Sequence, residues 1–142
     1  MAGRRLRLTP PRVPEDSLHE SVARALDILL LPPAQYTTIP AGGYGLTPAA
    51  AARLYRLGLK TGWPDLIIVY AGRIFGIELK AAGGELSHTV MRRTKRGKRI
   101  VIGQQQRHIW LREAGMQIAV CRTLDMVIAQ LRAWEIPLRG AV

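Results

Sequence analysis

Gly58 to Lys80 reads GLKTGWPDLIIVYAGRIFGIELK. Two short apolar runs, Asp65–Tyr70 and Ile74–Lys80, flank a tight turn at Ala71–Arg73. Runs rich in Ile, Val, Phe and Tyr, this close together, predict an antiparallel hairpin. Side chains alternate along a strand, so Glu78 and Lys80 share a face while Leu79 takes the other. Asp65 opens the first strand and Glu78 nearly closes the second. The hairpin therefore brings them together. Two carboxylates repel unless a cation lies between them. Mg²⁺ suits carboxylates, water and phosphate oxygens, and it can polarise a phosphodiester and acidify bound water. A lysine beside it can stabilise charge developing on phosphate. The same residues also admit a plain reading, with Asp65 capping a turn after Pro64 and Glu78 and Lys80 in exposed cross-strand pairs.

The surrounding chain of 142 residues suits one domain with a modest core. It carries 21 Lys and Arg against 10 Asp and Glu, a formal charge of +11, which calls for a polyanionic partner, nucleic acid first. A basic structural protein of a phage particle or ribosome has similar charge. A single cysteine, Cys121, excludes an internal disulfide and a cysteine metal cluster. Apolar runs fall short of a membrane span. Residues 1–16 are basic and proline-rich without an apolar signal core, and read as a flexible arm.

Outward from the hairpin, Ser17–Leu31 predicts a helix with Ser17 and Glu20 in capping-box spacing. Ala34–Pro40 reads as a short strand and AGGYG as a loop. Thr47–Gly58 reads as a helix with a Thr47 cap and Pro48 at its first position. After the hairpin comes a glycine loop. His88–Arg99 follows with six basic residues and no acid, read as a charge run. Gln104–Gly115 predicts a helix. Met116–Cys121 predicts a strand parallel to a neighbour, because a helical crossover leads to it. Thr123–Ile136 predicts the last helix, with 137–142 as a tail. This order predicts an α/β domain with a mixed central sheet flanked by helices.

GWPDLIIVYAGRIFGIELK carries a proline–aspartate and a glutamate-x-lysine element. Together with RLYRLGLKTG before it and LSHTV and QQQRHIWLREAGMQIAVCRTLDMVIAQL after it, the chain resembles VRR-NUC, the virus-type replication–repair nuclease domain. That family lies within the PD-(D/E)xK nuclease superfamily. The likeness covers about residues 18–132. It implies a restriction-endonuclease-like domain over 17–136 and an Mg²⁺-dependent endonuclease that also accepts Mn²⁺. The implied metal ligands are Asp65, Glu78, the Leu79 carbonyl and Glu20, with Lys80 as catalytic lysine. Glu20 competes with its capping role. The superfamily also places a glutamine after the motif. Gln104 and Gln105 are the candidates here, with Gln106 as alternate.

The resemblance further implies branched DNA, such as four-way junctions, as substrate, a homodimer, and a cytoplasmic location in a bacterial or phage-infected cell. Flap-specific or nonspecific cleavage, or a nucleic-acid-binding protein without chemistry, are the other readings. The chain departs from the family at 88–103, where a basic insertion separates the motif from the glutamines. Arg92, Arg93, Lys95, Arg96, Lys98 and Arg99 on this insertion would meet DNA phosphates as a flap.

Overall fold

A computed structural model of the chain describes residues 15–40 and 46–140. Most of the 1–16 arm and the AGGYG loop lie outside the described residues. The order of elements is α1 (Glu15–Leu29), β1 (Gln35–Thr38), α2 (Pro48–Arg56), β2 (Leu66–Tyr70), β3 (Arg73–Leu79), β4 (Val90–Thr94), β5 (Gly97–Val101), α3 (Gln104–Glu113), β6 (Gln117–Cys121) and α4 (Leu124–Ala133). The fold is α/β, with a mixed sheet flanked by helices.

The hairpin forms the centre of that sheet, whose order is β1-β2-β3-β6. β2 and β3 pair antiparallel with Leu66 opposite Ile77 and Tyr70 opposite Arg73. Ala71 and Gly72 both have positive φ, 50° and 74°, as the two central residues of a primed turn require. β1 adds antiparallel to β2. β6 adds parallel to β3, with Glu78 opposite Val120, after the crossover through α3.

Alternation divides the sheet into two unequal faces. Leu66, Ile68, Phe75, Ile77 and Leu79 pack with Val22 and Leu26 of α1 and Val127 and Leu131 of α4 in the main core. Phe75 lies against Trp134 with ring centroids 4.8 Å apart. The opposite face is covered by α3, where Ile67, Leu111 and Met116 form a smaller cluster joined by Trp63. Gly76, Glu78 and Lys80 project to this second face.

Two element ends differ from expectation. α1 begins at Glu15, so Ser17 lies inside the helix and its carbonyl accepts the Ser21 hydroxyl at 2.9 Å. The capping box of Ser17 and Glu20 is therefore not formed. The tail after Pro137 packs back onto the body as far as Arg139. Leu138 is buried and bridges Leu30, and the Arg139 N–H donates to the Leu29 carbonyl at 2.7 Å. The apolar Leu138 explains this return.

The larger difference lies at 88–103. The basic run is a β-hairpin, β4–β5, forming its own two-stranded sheet. Val90, Ile100 and Val101 favour strand, and Gly97 with φ 115° follows the Lys95–Arg96 turn. Its base is tied to the body by Thr61 Oγ1 donating to Ile102 O at 2.7 Å and Gly103 N donating to Thr89 Oγ1 at 3.1 Å.

Gly76 is where the motif and the sheet meet. A Cβ there would lie 2.7 Å from Pro64 Cγ and 3.0 Å from Met116 Sδ. The absent side chain lets buried Pro64 lie against β3, which sets the position of Asp65 just before β2. Gly76→Ala is expected to destabilise the protein by about 1–3 kcal/mol through overpacking. Urea unfolding of the variant measures this, and unchanged stability would show that Pro64 yields freely.

Candidate functional site

Extending the β2–β3 register by one residue places Asp65 opposite Glu78, on the face covered by α3. Both line a pocket of about 370 Å³, together with Lys80, Ser87, Arg92 and Gln104. Asp65 is half-buried. Its Oδ2 accepts the Leu79 N–H at 2.7 Å, which fixes the carboxylate against β3. A strand residue sends its N–H and C=O toward the same neighbour, so the Leu79 carbonyl also faces this edge. The position opposite it is Pro64, which carries no N–H.

Glu78 is 1 % exposed. Its Oε1 accepts Gln104 Nε2 at 2.5 Å and lies 3.8 Å from Lys80 Nζ. The Gln104 amide is oriented by Ser87, whose N–H donates to Gln104 Oε1 at 3.0 Å. Ser87 Oγ in turn accepts the Gln104 N–H at 3.0 Å. Gly103, the residue before α3, offers no side-chain cap, so Ser87 caps the helix from 17 positions away. This approach needs Gly103, because a Cβ there would lie 2.3 Å from the His88 carbonyl carbon.

On its other side Glu78 meets His108, which is fully buried. His108 Nε2 lies 3.5 Å from Glu78 Oε2. That separation makes an electrostatic contact rather than a formed hydrogen bond. Among the described residues, Glu78 Oε2 and both His108 ring nitrogens have no hydrogen-bond partner. Burial pushes the Glu78 carboxyl above its ordinary value of 4.5. The His108 contact opposes that rise, the Asp65 charge adds to it, and the Lys80 charge opposes it.

The structure thus gathers Asp65, Glu78, Lys80 and Gln104 into one pocket, and Gln104 is the one of the three glutamines that lines it. Gln105 is exposed and Gln106 half-buried, and neither lines the pocket. The structure does not bring Gln105 to the other candidates: one helical step of about 100° turns it away from Glu78. Glu20 also stands apart. Its side chain is 72 % exposed, lies 3.7 Å from Arg24, and lines an adjoining depression with Asp65, His19 and Thr38. Of the basic insertion, Arg92 lines the pocket. Arg93, Lys95, Arg96 and Lys98 stand exposed along the hairpin.

Two participants have no role in the sequence reading. His108 sits one helical turn after Gln104, and that i, i+4 spacing is the signal that could have found it. Ser87 has no local signal, because its partner is distant in sequence. Trp110 is partly exposed on α3, with the Arg107 guanidinium over its ring.

A hard divalent cation fits these residues. Both carboxylates line the pocket, and the Asp65 charge adds to the rise of the Glu78 carboxyl, a repulsion that a cation between them would relieve. Among the described residues no group of three or more His, Cys, Asp and Glu side chains is arranged to hold a metal. Mg²⁺ commonly takes only one or two carboxylates and completes its shell with water and phosphate. No family model, curated protein or solved structure matches the chain.

A carboxyl raised in the folded state holds its proton more tightly there than in the unfolded chain. Its stabilising contribution is complete below the unfolded value and is lost as pH rises through the folded one. Glu78→Gln keeps the Gln104 contact and removes the ionisation. Metal-free thermal unfolding is therefore expected to show Glu78→Gln more stable than wild type at about pH 8, with a weaker loss of stability above about pH 4.5. Equal pH profiles for the two proteins would refute the assignment of this loss to Glu78.

Proposed function

We propose that this protein is a metal-dependent endonuclease of the PD-(D/E)xK type, with a restriction-endonuclease-like architecture, hydrolysing DNA phosphodiester bonds. The observation that carries this reading is the pocket shared by Asp65, Glu78, Lys80 and Gln104. Asp65, Glu78 and the Leu79 carbonyl are the residues that would hold Mg²⁺ or Mn²⁺. When bound, the ion supplies Lewis-acid polarisation of the phosphate and a more acidic water. Lys80 offers an ammonium to the charge that develops on phosphate. The Gln104 amide holds Glu78 in place, His108 lies against its other carboxylate oxygen, and Ser87 holds Gln104.

The β4–β5 hairpin supports a nucleic-acid substrate. Its register sets Arg92 opposite Arg99 and Arg93 opposite Lys98. Like charges directly across a strand pair destabilise it, and an isolated two-stranded hairpin is marginal to begin with. A phosphate backbone relieves that repulsion. The resemblance to VRR-NUC domains supports branched DNA as substrate and a homodimer presenting two sites to a junction. No helix among the described residues is long and apolar enough to cross a membrane.

A second reading, a nucleic-acid-binding protein without chemistry, draws on Glu20, which pairs with Arg24 rather than entering the pocket. A cleavage panel separates the two. Linear, flap and four-way DNA are incubated with Mg²⁺, Mn²⁺ or EDTA. Cutting is expected with either metal, strongest on four-way DNA, and absent in EDTA. Lys80→Ala is expected to lower the rate by about 10²–10³-fold. Asp65→Asn is expected to abolish cutting, with DNA binding in EDTA retained by both variants. Wild-type activity in both variants would overturn the assignment.

A further inference from the structure

Beside the acidic pocket lies a second cavity of about 270 Å³, lined by Tyr55, Lys60, Thr61, Arg99 and Arg107. The two cavities share Thr61, Val101 and Ile102 as lining, so they meet along one wall. Their electrostatics differ. The first holds two carboxylates, Asp65 and Glu78, beside two cations, Lys80 and Arg92. The second holds three cations and no acid. Among the described residues no carboxylate pairs with Lys60, Arg99 or Arg107.

The three cations come from three separate parts of the chain: the segment before β2, strand β5 and helix α3. Arg107 is held firmly. Its Nε donates to the Thr61 carbonyl at 2.9 Å, and its guanidinium carbon lies 5.3 Å from the Trp110 ring centroid. These contacts leave the terminal guanidinium nitrogens to an outside acceptor. Assembling like charges costs free energy that a bound anion recovers, and a guanidinium fork matches phosphate geometry. Tyr55, on α2, adds a partly exposed aromatic ring at the cavity edge, the surface on which nucleic-acid bases stack.

We infer that the Lys60–Arg99–Arg107 cavity is a phosphate subsite for the same nucleic-acid strand whose scissile phosphate enters the Asp65–Glu78 pocket, with Tyr55 stacking on an adjacent base. The strand crosses the shared Thr61–Val101–Ile102 wall between the two. The subsite carries binding and positioning, and its role in cleavage rests on the nuclease reading above.

The test is fluorescence anisotropy of the full chain with a short labelled single-stranded oligonucleotide in EDTA, across a salt series. Lys60→Ala with Arg107→Ala is expected to weaken binding about tenfold or more and to reduce the salt slope by about one. Lys60→Glu alone leaves the Arg107–Thr61 contact in place and is expected to weaken binding in the same direction. Arg132→Ala, an exposed arginine of α4 on the opposite face of the sheet, is expected to bind as wild type does. Wild-type affinity and slope in both Lys60 variants overturn the subsite. An equal loss in Arg132→Ala also overturns it, since net charge then explains the effect. Lys60-dependent binding in a protein that never cuts DNA leaves the subsite standing and removes the nuclease reading instead.

Discussion

Keeping a carboxylate dry is the constraint around which this molecule is arranged. Glu78 sits on a central strand beneath a helix, where an unpaired charge is costly. The surroundings meet that cost with one short amide contact, one ammonium and one imidazole at longer range. They meet it incompletely, since one carboxylate oxygen is left without a donor. A stable core has no use for such an arrangement, because an apolar residue there would serve packing better. Glu78 is thus set apart from the aliphatic residues beside it on β3.

The two faces of the sheet divide the labour. The face under α1 and α4 collects nearly all the large apolar side chains and holds the strands in register. The face under α3 has a small apolar cluster, and the polar groups gather at one end of it. Asp65 and Glu78 approach each other because the strand register requires it. That register is secured from the far side by Phe75, Ile77 and Leu66. Pro64 over Gly76, and Ser87 against Gly103, then place the loop and the helix that complete the pocket.

The central hairpin was legible because strand alternation and a tight turn are local signals. They put Asp65 beside Glu78, and the crossover rule made β6 parallel. The Thr47 cap of α2 was legible for the same reason, as its hydroxyl reaches only three residues ahead to Ala50 N. Which glutamine faces the site was not legible. Ser87 decides it through contacts spanning 17 positions, and no local pattern encodes them. His108 was hidden among the three scattered histidines because its meaning depends on α3 lying over β3. The β4–β5 hairpin was obscured differently: the density of cations masked a strand preference carried by Val90, Ile100 and Val101. At the chain's first helix, a plausible cap lost to an earlier start, and Ser17 became an interior residue.

β4–β5 contributes no side chain to either apolar cluster and pairs with no strand of the main sheet. Among the described residues, the hydrogen bond that ties it to the body lies at its base, where Thr61 Oγ1 donates to Ile102 O. The cationic arm is in this sense modular. It can lengthen, shorten or exchange its charges at little expense to the scaffold beneath. The charges toward the tip of the arm are thereby free to diverge at their own rate, while Arg92 and Arg99, which line the two cavities, bind its base to them.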